Sequence, residues 1–65
     1  MILENAIKRA SKILKKHNIR SHELDAQLIL SDIMKINREY LIINSEGTVS
    51  NKIIHKYNAA ILRRV

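Results

Sequence analysis

The spacing of apolar residues constrains this chain most, because they recur three and four positions apart and only one glycine and no proline interrupt them. In an α-helix this spacing places the apolar side chains on one face. A first helix is predicted over residues 3–16, and Asn18 suits the left-handed position that ends it, with Ile19 packing back onto Leu14. The apolar face of this helix carries Leu3, Ala6, Ile7, Ala10, Ile13 and Leu14.

Capping residues and apolar faces predict three further helices. The hydroxyl of Ser21 is expected to cap a second helix, and Asn37 and Ser50 are expected to cap a short third helix over residues 38–43 and a fourth helix. The second helix should be central, because its apolar residues cover more than half of its circumference. They are Leu24, Ala26, Leu28, Ile29, Leu30, Ile33 and Met34. Since every connection is short, we expect an all-α fold: a compact bundle of four short helices, with a fifth helix left open after Val65.

Size and composition exclude several classes of protein. A chain of 65 residues forms one domain at most. Without cysteine, it has neither disulfides nor thiolate metal sites. Its apolar runs are far shorter than the roughly 20 residues that span a bilayer, and its N-terminus lacks the apolar segment of a secretory signal. A cytoplasmic protein with no membrane partner is the simplest interpretation.

The net charge of +6 is compatible with a nucleic-acid or acidic-protein partner, and also with solubility alone. Lysines along the outer side of the first helix could meet phosphates or an acidic patch, while a solvated helix face is the simpler interpretation. These lysines are Lys8, Lys12, Lys15 and Lys16. The candidate contacts with a partner or a neighbouring domain are Lys8, Lys12, Arg38, Arg63 and Arg64.

The pattern predicts no catalytic residue and no metal ligand. His17, His22 and His55 match no zinc spacing, and we interpret them as exposed or helix-end residues. Tyr40 and Tyr57 are expected at the edge of the core with their hydroxyls in water.

A set of residues between Asn18 and Arg64 carries a resemblance to a known family. They are Ile19, Ser21, Leu24, Asp25, Ala26, Leu28, Leu30, Arg38, Leu41, Ser50, Arg63 and Arg64. In this order and without a gap, they resemble the N-terminal domain of the glutamine methyltransferases that modify peptide chain release factors (the HemK/PrmC family). That domain has a Gly-Ile turn, a Ser-led helix with Leu-Asp-Ala-Glu-Leu-Leu-Leu, a short helix led by Ser-Arg, and a longer helix that ends in Arg-Arg.

Four positions depart from the family pattern. Asn18 stands in place of glycine, which asparagine tolerates because it visits the left-handed region more easily than most residues. Lys35 stands in place of another helix-ending glycine, where a left-handed conformation costs about 1 kcal/mol, so the second helix could end differently. Gln27 replaces a glutamate, and His22 replaces a first-turn proline.

The resemblance implies a non-catalytic role for residues 1–65. In the family, a downstream domain with a Gly-rich cofactor loop and an Asn-Pro-Pro-Tyr motif transfers a methyl group from S-adenosylmethionine to the glutamine of a release factor's Gly-Gly-Gln motif. The chain has neither motif, so we expect no activity and no cofactor in residues 1–65, and S-adenosylmethionine only in the parent enzyme. The resemblance implies a single N-terminal substrate-recognition domain without its catalytic domain, whose partners are a release factor and that catalytic domain.

The alternative is an independent basic helical module that binds nucleic acid. The sequence pI of about 10.1 and the lysines of the first helix favour it. The second helix is too apolar to read bases, and the fourth helix, which begins with Ser50, Asn51 and Lys52, is the better candidate. Binding that weakens steeply with salt and occurs with many sequences would distinguish this alternative.

Asp25 generates a first prediction. We interpret it as a first-turn partner of the helix dipole that could also pair with Arg20 or Arg38. The substitution Asp25→Ala should therefore lower the melting temperature modestly, and thermal unfolding followed by circular dichroism measures it. An unchanged melting temperature would contradict the pairing.

Overall fold

The computed structural model describes Met1–Val65 and contains four α-helices. They are α1 (Leu3–Lys16), α2 (His22–Met34), α3 (Arg38–Ile43) and α4 (Asn51–Arg64). The one extended pairing is an isolated antiparallel bridge between Ile2 and Thr48. The predicted all-α bundle is confirmed. No helix combines the length and the apolar character that a membrane crossing requires.

Helix α2 lies at the centre of the bundle, as its apolar residues predicted, and it packs against each of the other three helices. Ala26 and Leu30 are fully buried beneath these neighbours. Leu24 and Leu28 are 42% and 46% exposed, however, so only part of the wide apolar face of α2 is buried. The physical reason is that the neighbouring helices leave one side of α2 without a partner. The whole core consists of Leu3, Ala6, Ala10, Leu14, Ala26, Leu30, Leu41, Val49, Tyr57 and Ile61.

Two polar contacts join α4 to the start of α2. The hydroxyl of Tyr57 donates a hydrogen bond of 2.6 Å to the carbonyl oxygen of Ala26, and Tyr57 is 1% exposed. The expectation of a wet hydroxyl at the core edge is therefore wrong for Tyr57, while Tyr40 is exposed. Asp25 pairs with Arg64 at 2.9 Å, so its ionic partner is neither Arg20 nor Arg38.

Helices α1 and α2 both end on a residue with positive φ. Asn18 has a φ of 63°, and the amide of Ile19 donates to the carbonyl of Leu14 at 3.1 Å, as predicted. Lys35 has a φ of 56°, and the amide of Ile36 satisfies a carbonyl of the last turn of α2. The lysine thus adopts the conformation of the family's glycine, at a cost of roughly 1–2 kcal/mol.

The helix starts follow the predicted caps with one exception. The side chain of Asn37 accepts a hydrogen bond from the amide of Tyr40, and that of Ser50 accepts one from the amide of Ile53. Ser21 precedes α2, but its side chain accepts no cap hydrogen bond, so that prediction is wrong. Its ψ of 31° lies outside the extended region in which a capping hydroxyl faces the free amides of the first turn.

The start of α1 has no side-chain cap, and the loop between α3 and α4 supplies the acceptors instead. The amide of Leu3 donates to the carbonyl of Gly47 at 2.8 Å, and the amide of Glu4 donates to the carbonyl of Ser45 at 2.9 Å. In return, the amide of Val49 donates to the carbonyl of Met1 at 2.8 Å. These bonds satisfy amides that a helix leaves free at its start, and they fix the loop against α1.

The buried hydrogen bond of Tyr57 generates a prediction. The substitution Tyr57→Phe keeps the ring and removes the hydroxyl, so it should lower the free energy of unfolding by about 1 kcal/mol. In a domain of this size, that corresponds to a drop of about 4–8 °C in melting temperature. Denaturant unfolding measures the change, and Tyr40→Phe, at an exposed tyrosine, should change stability by less than about 0.5 kcal/mol.

The effect should also depend on pH. Burial raises the pKa of the Tyr57 phenol. Above about pH 10 the unfolded chain loses this proton while the folded chain retains it, so wild-type stability falls as the pH rises. The stability advantage of the wild type over Tyr57→Phe should therefore shrink above that pH. An advantage that stays constant into alkali would contradict the burial of the phenol.

Candidate functional site

A shallow groove lies along α1 and is bordered by the first turns of α2 and by α3. Five of its 16 lining residues are basic, and they are Lys8, Arg9, Lys12, Lys15 and Lys16. The carboxylates of Glu4 and Glu23 also line it, together with the polar side chains of His22 and Gln27. We call this surface the α1 groove. It contains every lysine that the sequence placed on the outer side of the first helix.

The charges of the α1 groove are largely unpaired within the chain. Lys8 pairs with Glu4 at 2.9 Å, as its spacing predicted, but both side chains are well exposed and such a pair contributes little stability. The only other salt bridge of the chain joins Asp25 to Arg64, away from the groove. Four of the five cations therefore face solvent with no carboxylate within salt-bridge distance.

The floor of the α1 groove holds one polar contact between helices. The hydroxyl of Ser11 and the Nδ1 atom of His22 lie 2.6 Å apart, and Ser11 is 9% exposed. No carboxylate hydrogen-bonds to this imidazole, so the pair lacks the third group that orients a base towards a nucleophile. We interpret it as a contact that fixes the start of α2 against α1. His17 and His55 are exposed, as the sequence predicted.

Four apolar residues also belong to the lining. Ile7 and Ile13 of α1 are half-buried, whereas Ile42 of α3 is 54% exposed. The next residue, Ile43, is 81% exposed, the largest value among the large apolar residues of the chain. Ile42 and Ile43 thus form an exposed apolar edge of α3 that adjoins the basic α1 groove.

The five candidate contact residues do not form one site. Lys8 and Lys12 line the α1 groove, whereas Arg38, Arg63 and Arg64 do not. Arg38 is exposed at the start of α3, and Arg63 is exposed in the last turn of α4. Arg64 lies beside it but donates to Asp25 at 2.9 Å. No group of three or more His, Cys, Asp or Glu residues is placed to hold a metal ion.

The comparison with protein families gives one match over nearly the whole chain. Residues 5–65 match the family described as the PrmC N-terminal domain. No solved structure gives a significant match.

Two curated relatives carry the same name. The chain is 33% identical over 58 residues to the release factor glutamine methyltransferase of Leptospira interrogans serogroup Icterohaemorrhagiae serovar Lai (strain 56601). The aligned region covers 89% of this chain and 20% of that relative. It is 32% identical over 57 residues to the release factor glutamine methyltransferase of Clostridium botulinum (strain Hall), covering 88% of this chain and 20% of the relative. The chain thus spans about a fifth of the length of either protein.

The contact between Ser11 and His22 generates a prediction. The substitution Ser11→Ala removes a hydrogen bond between two helices and should lower the free energy of unfolding by about 1 kcal/mol. Ser31→Ala is the matched control, because the Ser31 hydroxyl bonds only to the carbonyl of Leu28 within its own helix. Alanine is the better helix former, so the control should be neutral or slightly stabilising. Equal losses in both variants, measured by denaturant unfolding, would refute the interpretation of Ser11.

Proposed function

This chain belongs to the PrmC N-terminal domain family, and from this premise we propose that it recognises a substrate protein without catalysing a reaction. It helps to hold a peptide chain release factor while a downstream domain, dependent on S-adenosylmethionine, methylates the glutamine of the Gly-Gly-Gln motif. The observation that carries the proposal is the match of residues 5–65 to this N-terminal domain. The two named relatives are five times longer than the matched region, which leaves room for a separate catalytic part.

The residues of the chain do not fit a binding site for S-adenosylmethionine of the family's kind. The one glycine, Gly47, lies in the loop between α3 and α4, where its carbonyl accepts from the amide of Leu3 and its amide donates to the carbonyl of Asn44. The carbonyls of this loop accept hydrogen bonds from the first amides of α1, and the loop contains no glycine-rich turn. We therefore assign the methyl donor and the transfer to the parent enzyme.

The parent's catalytic domain is the second proposed partner. Arg63 and Arg64 correspond to the Arg-Arg pair at the end of the family's domain. Arg64 is held by Asp25, while Arg63 and the neighbouring Leu62, which is 67% exposed, have no such partner within the chain. We propose that the outer side of the last turn of α4 faces the catalytic domain. Since release factors act in translation termination, we place the protein in the cytoplasm.

A titration of the isotopically labelled chain with the release factor of the same organism tests the proposal. We expect saturable shifts of amide resonances with a dissociation constant in the micromolar to millimolar range, because a domain this small offers little contact area. An unrelated acidic protein of similar size is the control and should cause no saturable shift. Absence of binding to the release factor would contradict the proposal.

The same titration with short RNA and DNA oligonucleotides addresses the alternative. A nucleic-acid module should bind many sequences, with an affinity that falls steeply as salt is added. We expect weak binding at low salt at most, since neither tyrosine lines the α1 groove and bases would have no aromatic side chain to stack on. Tight nucleic-acid binding without release factor binding would favour the alternative.

A further inference from the structure

The α1 groove combines an excess of positive charge with an exposed apolar side chain. Its basic residues repel one another along α1, because several of them lie three or four residues apart on the helix. Only Lys8 has an acidic partner within the chain. At the α3 border, Ile42 is 54% exposed to solvent. Both features are unfavourable in the free chain, and a ligand with acidic and apolar groups would relieve both.

The lining favours a protein segment over a nucleic acid as that ligand. Glu4 and Glu23 stand among the cations and would repel any anionic group placed beside them, so the apolar part of the lining distinguishes the two ligands. The accessible apolar contribution comes from isoleucine side chains, which can bury apolar residues of a partner but cannot stack on bases as aromatic rings do. A polypeptide that carries Asp or Glu beside apolar residues matches both parts of the lining, and complementary charge would fix its register.

We propose that the α1 groove binds an acidic, amphipathic segment of the release factor. In this arrangement Lys8, Lys12 and Lys15 face carboxylates of the segment, and Ile42 contacts its apolar side. The 14 residues of α1 extend over about 21 Å, enough to lie alongside about four turns of a partner helix. This inference rests on the proposed function and adds the binding surface and the chemistry of the partner segment.

Two double charge reversals test the inference in the complete 65-residue chain. Lys8→Glu with Lys12→Glu changes the α1 groove, and Lys52→Glu with Lys56→Glu is the matched control. Both pairs are exposed, lie four residues apart on one helix and change the net charge equally, but the control pair lies on α4 outside the groove. We expect the groove variant to bind the release factor about tenfold more weakly, and the control variant to bind within about threefold of the wild type.

A second, milder variant distinguishes weaker binding from a loss of folding caused by the charge reversal. Lys8 pairs with Glu4, so its reversal removes a favourable pair and adds a repulsive one. Lys8→Gln with Lys12→Gln avoids the new repulsion and should weaken binding by about threefold to fivefold, since it removes attraction without adding charge of the wrong sign. Circular dichroism at the titration temperature verifies that each variant is helical. Ile42→Ser, at an exposed position, tests the apolar border and should also weaken binding.

The outcomes separate the two proposals. If the groove variants and the control variant lose affinity equally, net charge rather than the groove determines binding, and the inference fails. If the wild type and all variants bind alike, the inference fails while the proposed function stands. If the wild type does not bind the release factor, both fail. An RNA oligonucleotide that displaces the release factor and loses affinity only in the groove variants would assign the groove to nucleic acid and overturn the inference.

Discussion

The burial of α2 between the other three helices is the constraint on which the rest of the structure depends. A chain of 65 residues has a small core, and this one places the fully buried Ala26 and Leu30 of α2 at its centre. The carbonyl of Ala26 accepts a hydrogen bond from the Tyr57 hydroxyl, so α4 is attached by a buried hydrogen bond as well as by apolar contact. The pair of Asp25 and Arg64 lies one residue away and strengthens the same junction.

This arrangement determines which surfaces remain free. Because α1 packs on α2 and α4 through its apolar face, its lysines and Arg9 lie outside, where they form the rim of the α1 groove. Helix α3 has six residues, and Leu41 is the only one of them that is buried, so Ile42 and Ile43 are left exposed beside the groove. The loop that follows α3 caps the start of α1 and thereby fixes one end of this surface. A surface that is both basic and apolar is thus a consequence of how a very small core is closed.

The sequence was sufficient to predict the four helices, the end of α1 at Asn18, and the caps at Asn37 and Ser50. These features depend on residues that are neighbours in the chain. The sequence was insufficient to predict contacts between residues that lie far apart in the chain. The capping of α1 by the loop, the bond of Ser11 to His22 and the bond of Tyr57 to Ala26 each join residues that are far apart in the chain. The periodicity of α2 likewise gave an apolar face without saying how much of it the neighbours cover, so it did not predict that Leu24 and Leu28 are exposed. The lysines of the candidate site were predictable, but their association with α3 was not.

Native-state hydrogen exchange of the chain without any partner is the decisive experiment on whether α2 joins the helices into one unit in which the α1 groove is already formed. The account predicts that the most protected amides of α1, α2 and α4 exchange with the same free energy, equal to that of global unfolding. It also predicts that the amides of Leu3 and Glu4 are protected by the loop carbonyls. If α4 instead opens at a much lower free energy than α1 and α2, its attachment to α2 does not hold the bundle together, and the account is contradicted.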